Sequence, residues 1–338
     1  MEYPACVLCG ATASRDVVTQ RDINLDRGAE FFTIVQCSGC ELIYLKPRPT
    51  PDEIRAYYPT VYYTLESERK GKPIDRFFKR LSNKLKSGIM EEFYGYPGKQ
   101  GVVRSSLARL ARRLVLYPEY WHLRFVGRDI LPFRGEGRIL DVGCGTGKDL
   151  RSLRERGWDA YGVEFSPVAV EYAKRKYGLN VTLGDLASAR YESKFFDVVF
   201  FNHSLEHMYD PLEILREAHR ILKPKGLLVI HIPNAGSFEA RLFRQWWVQW
   251  DVPRHLYHFT KRTMVKLLDM SGFKLLRIKD GLGSSFFLGS VDKVYKHVFH
   301  IEAKHGWILR HIIAGPGCLL AGHLGFGTEM KVYAEKPR

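Results

Sequence analysis

The chain has 338 residues, 45% of them hydrophobic, with 52 Lys and Arg against 37 Asp and Glu for a formal charge of +15. That length suits one large domain with one or two small additions. Six cysteines exclude a disulfide scaffold in a chain of this size, and residues 1–10 show no basic stretch followed by an apolar run, so a cytoplasmic location is expected.

Residues 1–63 are rich in Cys, Pro and Tyr. Cys6-x2-Cys9 and Cys37-x2-Cys40 form two knuckles around a β-like run at 31–35, and four thiolates so spaced predict a closed, tetrahedral, structural Zn²⁺ site. Metal binding then supplies folding free energy to a module without a large core. Thr50-Pro51-Asp52-Glu53 is a capping box with Pro at the first helical position, predicting a short helix towards Tyr57-Tyr58-Pro59 that links this ribbon to the next domain.

A basic, helical stretch is expected over 64–135, and residues 69–113 hold thirteen Lys or Arg against three acids. Such a segment favours an anionic partner: a negatively charged membrane surface, a phosphorylated substrate or nucleic acid. A solvated helical face is the alternative reading.

From Arg138 the chain alternates strand and helix. Strands are predicted at 139–142, 160–164, 181–183, 196–201, 226–232, 274–279 and 329–334. Helices are predicted at 148–156, from Ser166-Pro167 to 177, from Asp210-Pro211 to 222, and at 260–271. This order predicts an α/β domain over 136–338, a Rossmann-like, seven-stranded, doubly wound sheet with helices on both faces. An insertion at about 281–327 is too long for a plain loop and should carry its own structure. Its apolar part, 311–327, contains Pro316 and several glycines and falls short of a membrane span, leaving packing or a membrane-surface element.

Asp141-Val142-Gly143-Cys144-Gly145-Thr146-Gly147 joins the first of these strands to its helix, where glycines let the backbone turn sharply and approach a ligand. The GxGxG spacing differs from the dinucleotide fingerprint, and Glu164 at the end of the next strand is placed to bind both hydroxyls of a ribose, which favours a nucleoside without a pyrophosphate. The motifs in order, Asp141 to Gly147, Gly162-Val163-Glu164, Gly184-Asp185, Phe196-Asp197-Val198-Val199, Leu205-Glu206-His207 and Leu222-Lys223-Pro224-Lys225-Gly226, resemble those of class I S-adenosylmethionine-dependent methyltransferases. The likeness runs from about 138 to 336; a nicotinamide-binding Rossmann domain is the alternative. It implies that Asp141, Gly143, Gly145 and Gly147 hold the methionine part of S-adenosylmethionine, Glu164 the ribose and Asp185 the adenine amino group, with Leu186 beside the ring; Asn202 is counted with this set. Lys225 departs from the usual Lys-Pro-Gly-Gly, in a surface turn.

The four-cysteine ribbon, Leu45-Lys46-Pro47-Arg48-Pro49-Thr50 and Pro253-Arg254-His255-Leu256 together resemble a bacterial subgroup associated with cell-surface polysaccharide, glycolipid or secondary-metabolite assembly. O-methylation of a sugar, glycolipid or related small molecule is the reading this implies, with a small-molecule or lipid-linked glycan as acceptor. The rivals are a nucleic-acid methyltransferase and a non-catalytic scaffold in a glycan-assembly complex. The strand exit Asn202-His203-Ser204-Leu205 is unlike the Asn/Asp-Pro-Pro-Tyr type of many base-modifying enzymes. A hydroxyl nucleophile benefits from a general base, for which His203 ranks first and His255 second; His207, His231 and Asn234 share the same edge of the sheet. His203, Glu206 and His207 occupy the positions of a Glu-x-x-Glu-His cation pattern of ubiquinone-pathway O-methyltransferases, with the first ligand changed in a way that disfavours Mg²⁺. Trp246, Trp247, Trp250 and Tyr257 are candidates for an acceptor wall, and Arg244 and Arg254 for pairing with an acceptor phosphate or carboxylate. Cys144 and Cys318 receive no role.

Overall fold

Residues 1–26, 29–58, 85–98, 106–125, 130–281, 284–301 and 314–338 are described in the computed structural model of the chain. Seven strands form the larger sheet: β4 (Arg138–Val142), β5 (Asp159–Glu164), β6 (Asn180–Leu183), β7 (Phe196–Asn202), β8 (Leu222–Pro233), β10 (Lys274–Asp280) and β11 (Glu329–Glu335). Their order is β10-β11-β8-β7-β4-β5-β6, and β11 runs antiparallel to both of its neighbours. The middle strands are near-continuous apolar runs because both faces are covered; Ile139, Leu140, Val198, Val199, Leu228 and Ile230 are buried. Strand order reverses between β4 and β7, so the carboxyl ends of these two strands define the crevice in which an open α/β sheet takes its ligand.

Local chemistry sets the helix ends as expected. Ser166 Oγ accepts from Ala169 N–H to open α4 (Pro167–Tyr177), which ends on Gly178 in the left-handed region. Asp210 opens α5 (Pro211–Ile221) in the same way, and Thr260 forms a capping box with Thr263 at the start of α7 (Lys261–Met270). Helix α3 (Lys148–Glu155) follows the glycine turn, and the short α6 (Phe238–Phe243) follows β8. Asp197 accepts from the backbone N–H groups of Glu136 and Arg138 and from Lys223 Nζ, which ties the Leu-Lys-Pro turn to the start of β4.

The N-terminal module is not a separate ribbon. Strands β1 (Ser14–Gln20), β2 (Phe32–Cys37) and β3 (Ile43–Leu45) form a meander whose edge is completed by β9 (Tyr257–His258), contributed by the segment between β8 and α7. Ile34, Tyr44 and Leu45 share one apolar core with Phe201, Trp247, Leu256 and Phe259. Thr50 and Glu53 make the expected reciprocal bonds, but the helix they open is a single 3₁₀ turn, Glu53–Tyr57. One ion pair locks this seam: Arg254 donates to both oxygens of Asp22, at 2.7 and 2.9 Å, and to both oxygens of Asp251, at 2.6 and 3.0 Å.

The insertion carries α8 (Ser285–Val298) and α9 (Gly315–His323). Helix α8 packs on the Trp-rich segment, where Ser290 Oγ accepts from Val248 N–H, and reaches the N-terminal module through Lys293 Nζ to Ile23 O. Of the basic stretch, the described parts are a helix at 85–93 (α1) and α2 (Ser106–Phe125); residues 59–84 and 99–105, with much of the charge, lie outside the described residues, as do 302–313 of the insertion. Among the described residues no helix is long and apolar enough to cross a membrane.

Because Arg254 and Asp22 are buried on both sides of the seam, Arg254→Ala strands two carboxylates without a counter-charge. We expect a loss of about 3–5 kcal/mol, measured as a shift in the urea unfolding midpoint; a loss near zero would mean that the seam does not depend on this pair.

Candidate active site

The turn after β4 is built from glycines for steric reasons visible at two positions. Gly143 has φ +79°, and a Cβ there would lie 2.6 Å from that of Ser204; Gly147 has φ +76° and a Cβ would meet Leu179 Cδ1 at 2.5 Å. Gly145 also lies in the left-handed region, and its N–H donates to Glu164 Oε2 at 2.8 Å, while Ser166 N–H donates to Glu164 Oε1 at 2.9 Å. Each carboxylate oxygen of Glu164 therefore retains a lone pair for a further donor. Asp141 is buried and its Oδ1 has no hydrogen-bond partner. Burial, with the neighbouring charges of Asp149 and Glu164, raises its carboxyl to about 8. Three acids around a glycine turn suit a ligand that brings positive charge and donors, as an ammonium, a sulfonium and a ribose do together.

The other members of the predicted cofactor set lie at the carboxyl ends of β6 and β7. Asp185 is exposed and accepts from Ser188 N–H at 2.7 Å, bonds that lower its carboxyl, and Leu186 beside it is fully buried. Asn202, at the end of β7, donates to Asp149 Oδ2 at 3.0 Å and accepts on Oδ1 from His231 Nδ1 at 3.1 Å. It thus joins the first turn of α3 to the imidazole on β8.

His203 is the residue whose expected role the geometry changes. It sits at φ +52° between two carboxylates, with Nε2 2.8 Å from Glu329 Oε1 and Nδ1 3.5 Å from Glu206 Oε1. Burial works against the charged ring, but Glu206 and Glu329 outweigh it and raise His203 to about 10. Two carboxylates facing the ring favour its charged form, which has no lone pair to offer as a base. Glu329 in turn faces His231, whose Nε2 lies 3.4 Å from Oε2. Burial keeps His231 below its ordinary value even beside that carboxylate. Sequence reasoning missed Glu329 and Asp149, because nothing in the primary structure pairs the first residue of β11 with a histidine 126 positions earlier.

His255 is buried, its Nδ1 donates to Gln249 O at 2.8 Å, and burial with the His207 charge lowers it to about 4. It is enclosed by Gln249, Asp251 and His207 and is not on an open acceptor face. The expected acceptor wall is likewise core: Trp247, Trp250 and Tyr257 are each at most 4% exposed, and Trp246 stacks on His297. Arg254 is spent on Asp22 and Asp251 and cannot pair with an acceptor. Arg244 lines, with Arg241 and Val17, a cleft of about 370 Å³ that shares no residue with the glycine turn.

In the N-terminal module Cys6, Cys9, Cys37 and Cys40 bring four sulfurs within 4.8 Å of one another. None is in a disulfide. Burial works against the Cys37 thiolate, yet the backbone N–H groups of Cys40 and Gly39 point at its sulfur and bring the thiol down to about 7. Four cysteine sulfurs in a closed cluster fit the donor set of a structural zinc site.

Comparison with known proteins agrees with this architecture. The profile described as "Methyltransferase domain" matches residues 70–278, more than half of the chain. A ubiquinone biosynthesis O-methyltransferase of Cereibacter sphaeroides is 33% identical over 141 residues, 39% of this chain and 56% of that protein. The 27-O-demethylrifamycin SV methyltransferase of Amycolatopsis mediterranei is 32% identical over 123 residues, 33% of this chain and 45% of the relative. The chain thus spans about half the length of these curated relatives. A solved S-adenosylmethionine-dependent methyltransferase from Archaeoglobus fulgidus shares 20% identity with a TM-score of 0.43, over 66% of this chain and 94% of that one.

The glycine turn yields a direct test. Gly143→Ala forces a methyl group onto Ser204 at a left-handed φ, and should cost about 1–3 kcal/mol, with the steric part recovered when Ser204→Gly is added. Chemical denaturation of the two variants decides it; no recovery would mean that backbone strain alone sets the cost.

Proposed function

The chain belongs to the class I S-adenosylmethionine-dependent methyltransferase family, and from that premise we propose that it transfers the donor's methyl group to a hydroxyl oxygen of a sugar, glycolipid or related small molecule. The observation that carries this reading is the acid-lined glycine turn, with its unpartnered Asp141 oxygen, beside a His203–Glu329–His231 group at the same end of the sheet. S-adenosylmethionine supplies a methyl sulfonium, the leaving group being the neutral thioether. The protein's task is alignment and exclusion of water, which can account for about 7–11 kcal/mol of a displacement barrier. On this reading Glu164 holds the ribose, and Asp141 and the turn hold the amino acid part. Asp185 and Leu186 hold the adenine.

The acceptor proton needs a destination once the oxygen–carbon bond forms. On this reading His231 is the candidate that remains, with Nδ1–H fixed on Asn202 and Nε2 turned to Glu329, through which the proton would pass. His203, held charged by two carboxylates, fixes Glu329 in turn. Ubiquinone biosynthesis O-methyltransferases among the relatives are named for transfer to oxygen, which supports the choice of atom. The four-cysteine cluster, on the same reading, holds structural Zn²⁺ and keeps the β1–β3 meander folded against β9.

A lipid-linked acceptor is favoured by the surface of α2. Leu110, Leu114, Tyr117, Trp121 and Phe125 recur every three or four residues and are each about half exposed or more, with Arg109 and Arg113 also exposed on the same helix. His323 of α9 stacks on Phe125 at 4.7 Å, adding the exposed Leu320 and Leu324 to the same patch. An apolar stripe flanked by arginines on a strongly basic chain matches an anionic bilayer surface.

Purified protein given labelled S-adenosylmethionine should methylate a lipid-linked or nucleotide-activated sugar, with turnover cut at least tenfold by Glu164→Gln through the donor KM and by His231→Gln through kcat. Label transferred to RNA and not to sugars would replace this acceptor class. Co-sedimentation should separate the surface claim from the chemistry: vesicles containing phosphatidylglycerol retain the wild type, Trp121→Ser with Leu114→Ser lowers retention severalfold, and equal binding by neutral vesicles would refute an anionic surface.

A further inference from the structure

We propose that the cleft between the N-terminal meander and α6 is a phosphate subsite, in which Arg241 and Arg244 hold the phosphate ester that links the acceptor sugar to its nucleotide or lipid carrier. The cleft has a volume of about 370 Å³, inside the ~300–1,000 Å³ typical of small-molecule sites. Strand β1 contributes Val17, Val18 and Thr19 to its lining. Arg241 of α6, with Arg244 and Gln245 of the turn that follows, contributes the charged and polar part, and the buried Trp250 adds an apolar ring.

Charge decides what this cleft takes. Among the described residues no acid lines it, and neither of its guanidiniums holds an ion pair. Elsewhere in the fold arginines are matched: Arg48 with Glu2, Arg220 with Glu217, and Arg254 with Asp22 and Asp251. The acid of α6 itself, Glu239, is buried against Cys318 Sγ, 3.4 Å from its Oε1, whereas Arg241 and Arg244 are exposed. One guanidinium fork suffices for a carboxylate; two permanently charged forks on one concave surface match the several oxygens of a phosphate or diphosphate. Both are steadied in advance. Arg241 lies over the Phe326 ring, 5.8 Å from its centroid, and Arg244 is held at φ +49° with its carbonyl accepting from Trp250 Nε1 at 2.7 Å. The segment that carries both leaves the carboxyl end of β8, the strand of His231, and is opened by Ser237 Oγ accepting from Ala240 N–H at 3.1 Å. The subsite therefore shares the ligand-binding edge of the sheet with the proton acceptor. S-adenosylmethionine has no phosphate, so the anion this cleft fits belongs to the acceptor, whose remote contacts orient the reacting hydroxyl.

This inference rests on the reading of the acceptor as a sugar or glycolipid, and the two can fail separately. Calorimetric titration of the full, zinc-supplemented chain with uridine diphosphate and with farnesyl diphosphate, S-adenosylhomocysteine present, should give saturable binding of at least one. Arg241→Gln with Arg244→Gln should weaken that binding about tenfold or more. Equal charge removed elsewhere, by Arg175→Gln with Arg216→Gln on α4 and α5, should leave it within about twofold, with circular dichroism reporting that both double variants fold. Tighter uridine diphosphate assigns a nucleotide carrier and tighter farnesyl diphosphate a lipid one; both uphold the subsite. In turnover, the Arg241 and Arg244 substitutions should raise the KM of a sugar phosphate ester and not that of the free sugar. No binding of either probe by the wild type, equal weakening by both double variants, or unchanged binding by the first overturns the proposal. Sugar methylation with an unchanged phosphate-ester KM overturns the subsite alone. Methyl transfer confined to RNA overturns the acceptor reading and the carrier with it, even where the two arginines still govern probe binding.

Discussion

The Arg254 guanidinium is the constraint on which the arrangement of this protein depends. It is buried with five donors, and two carboxylates from opposite sides of a seam, Asp22 and Asp251, take four bonds from it while Tyr57 O takes another. Satisfied in this way a buried charge is tolerable; with one partner missing it is not. The geometry of the planar fork fixes more than its own ligands. The backbone of Arg254 accepts from His207, and the next two residues deliver His255 towards Glu206 and the Leu256 N–H to Glu206 O. The N-terminal module, the Trp-rich segment and the turn after β7 are thereby held as one unit.

Much of the catalytic sheet was legible in the sequence because its elements are written locally. Apolar runs of strand length, Ser166-Pro167 and Asp210-Pro211 at helix starts, and Gly178 at a helix end each act within a few residues, and the observed strands and caps follow them. The glycine turn and Glu164 were legible for the same reason. What escaped was long-range. Tyr257–His258 reads as part of an aromatic loop until β3 is there to pair with it, since a two-residue strand carries no periodicity of its own. Trp247 and Trp250 look like a binding face in a list of residues and are core once the meander packs over them. Arg254 looks like an anion receptor until Asp22, 232 positions away, is set against it.

Histidine roles failed to be legible for a related reason. A sequence places His203, His207, His231 and His255 near one edge of a sheet, but the state of each ring is decided by what faces its two nitrogens. Two carboxylates make His203 a cation; a carbonyl behind Nδ1 makes His255 a neutral Nε2 donor; an amide oxygen behind Nδ1 does the same for His231. The same residue type thus stands in three different environments within one cluster, and the acids Glu206 and Glu329 sort them.

Ser204 joins these two chemistries. Its Oγ donates to Val142 O at 2.6 Å, at the end of the strand that launches the glycine turn, and its Cβ fills the space a side chain at Gly143 would need. Two residues later comes Glu206, and one residue earlier His203 in a left-handed conformation. The turn that would receive the methionine end of the donor and the turn that carries the histidine–carboxylate cluster therefore cannot move independently: a shift of either one transmits through a buried hydroxyl bond and a close carbon contact. Positioning a donor and an acceptor to within a fraction of an ångström is what a displacement at carbon demands. Here that precision is built into the packing of one serine against one glycine, with the Arg254 seam behind it as the rigid wall.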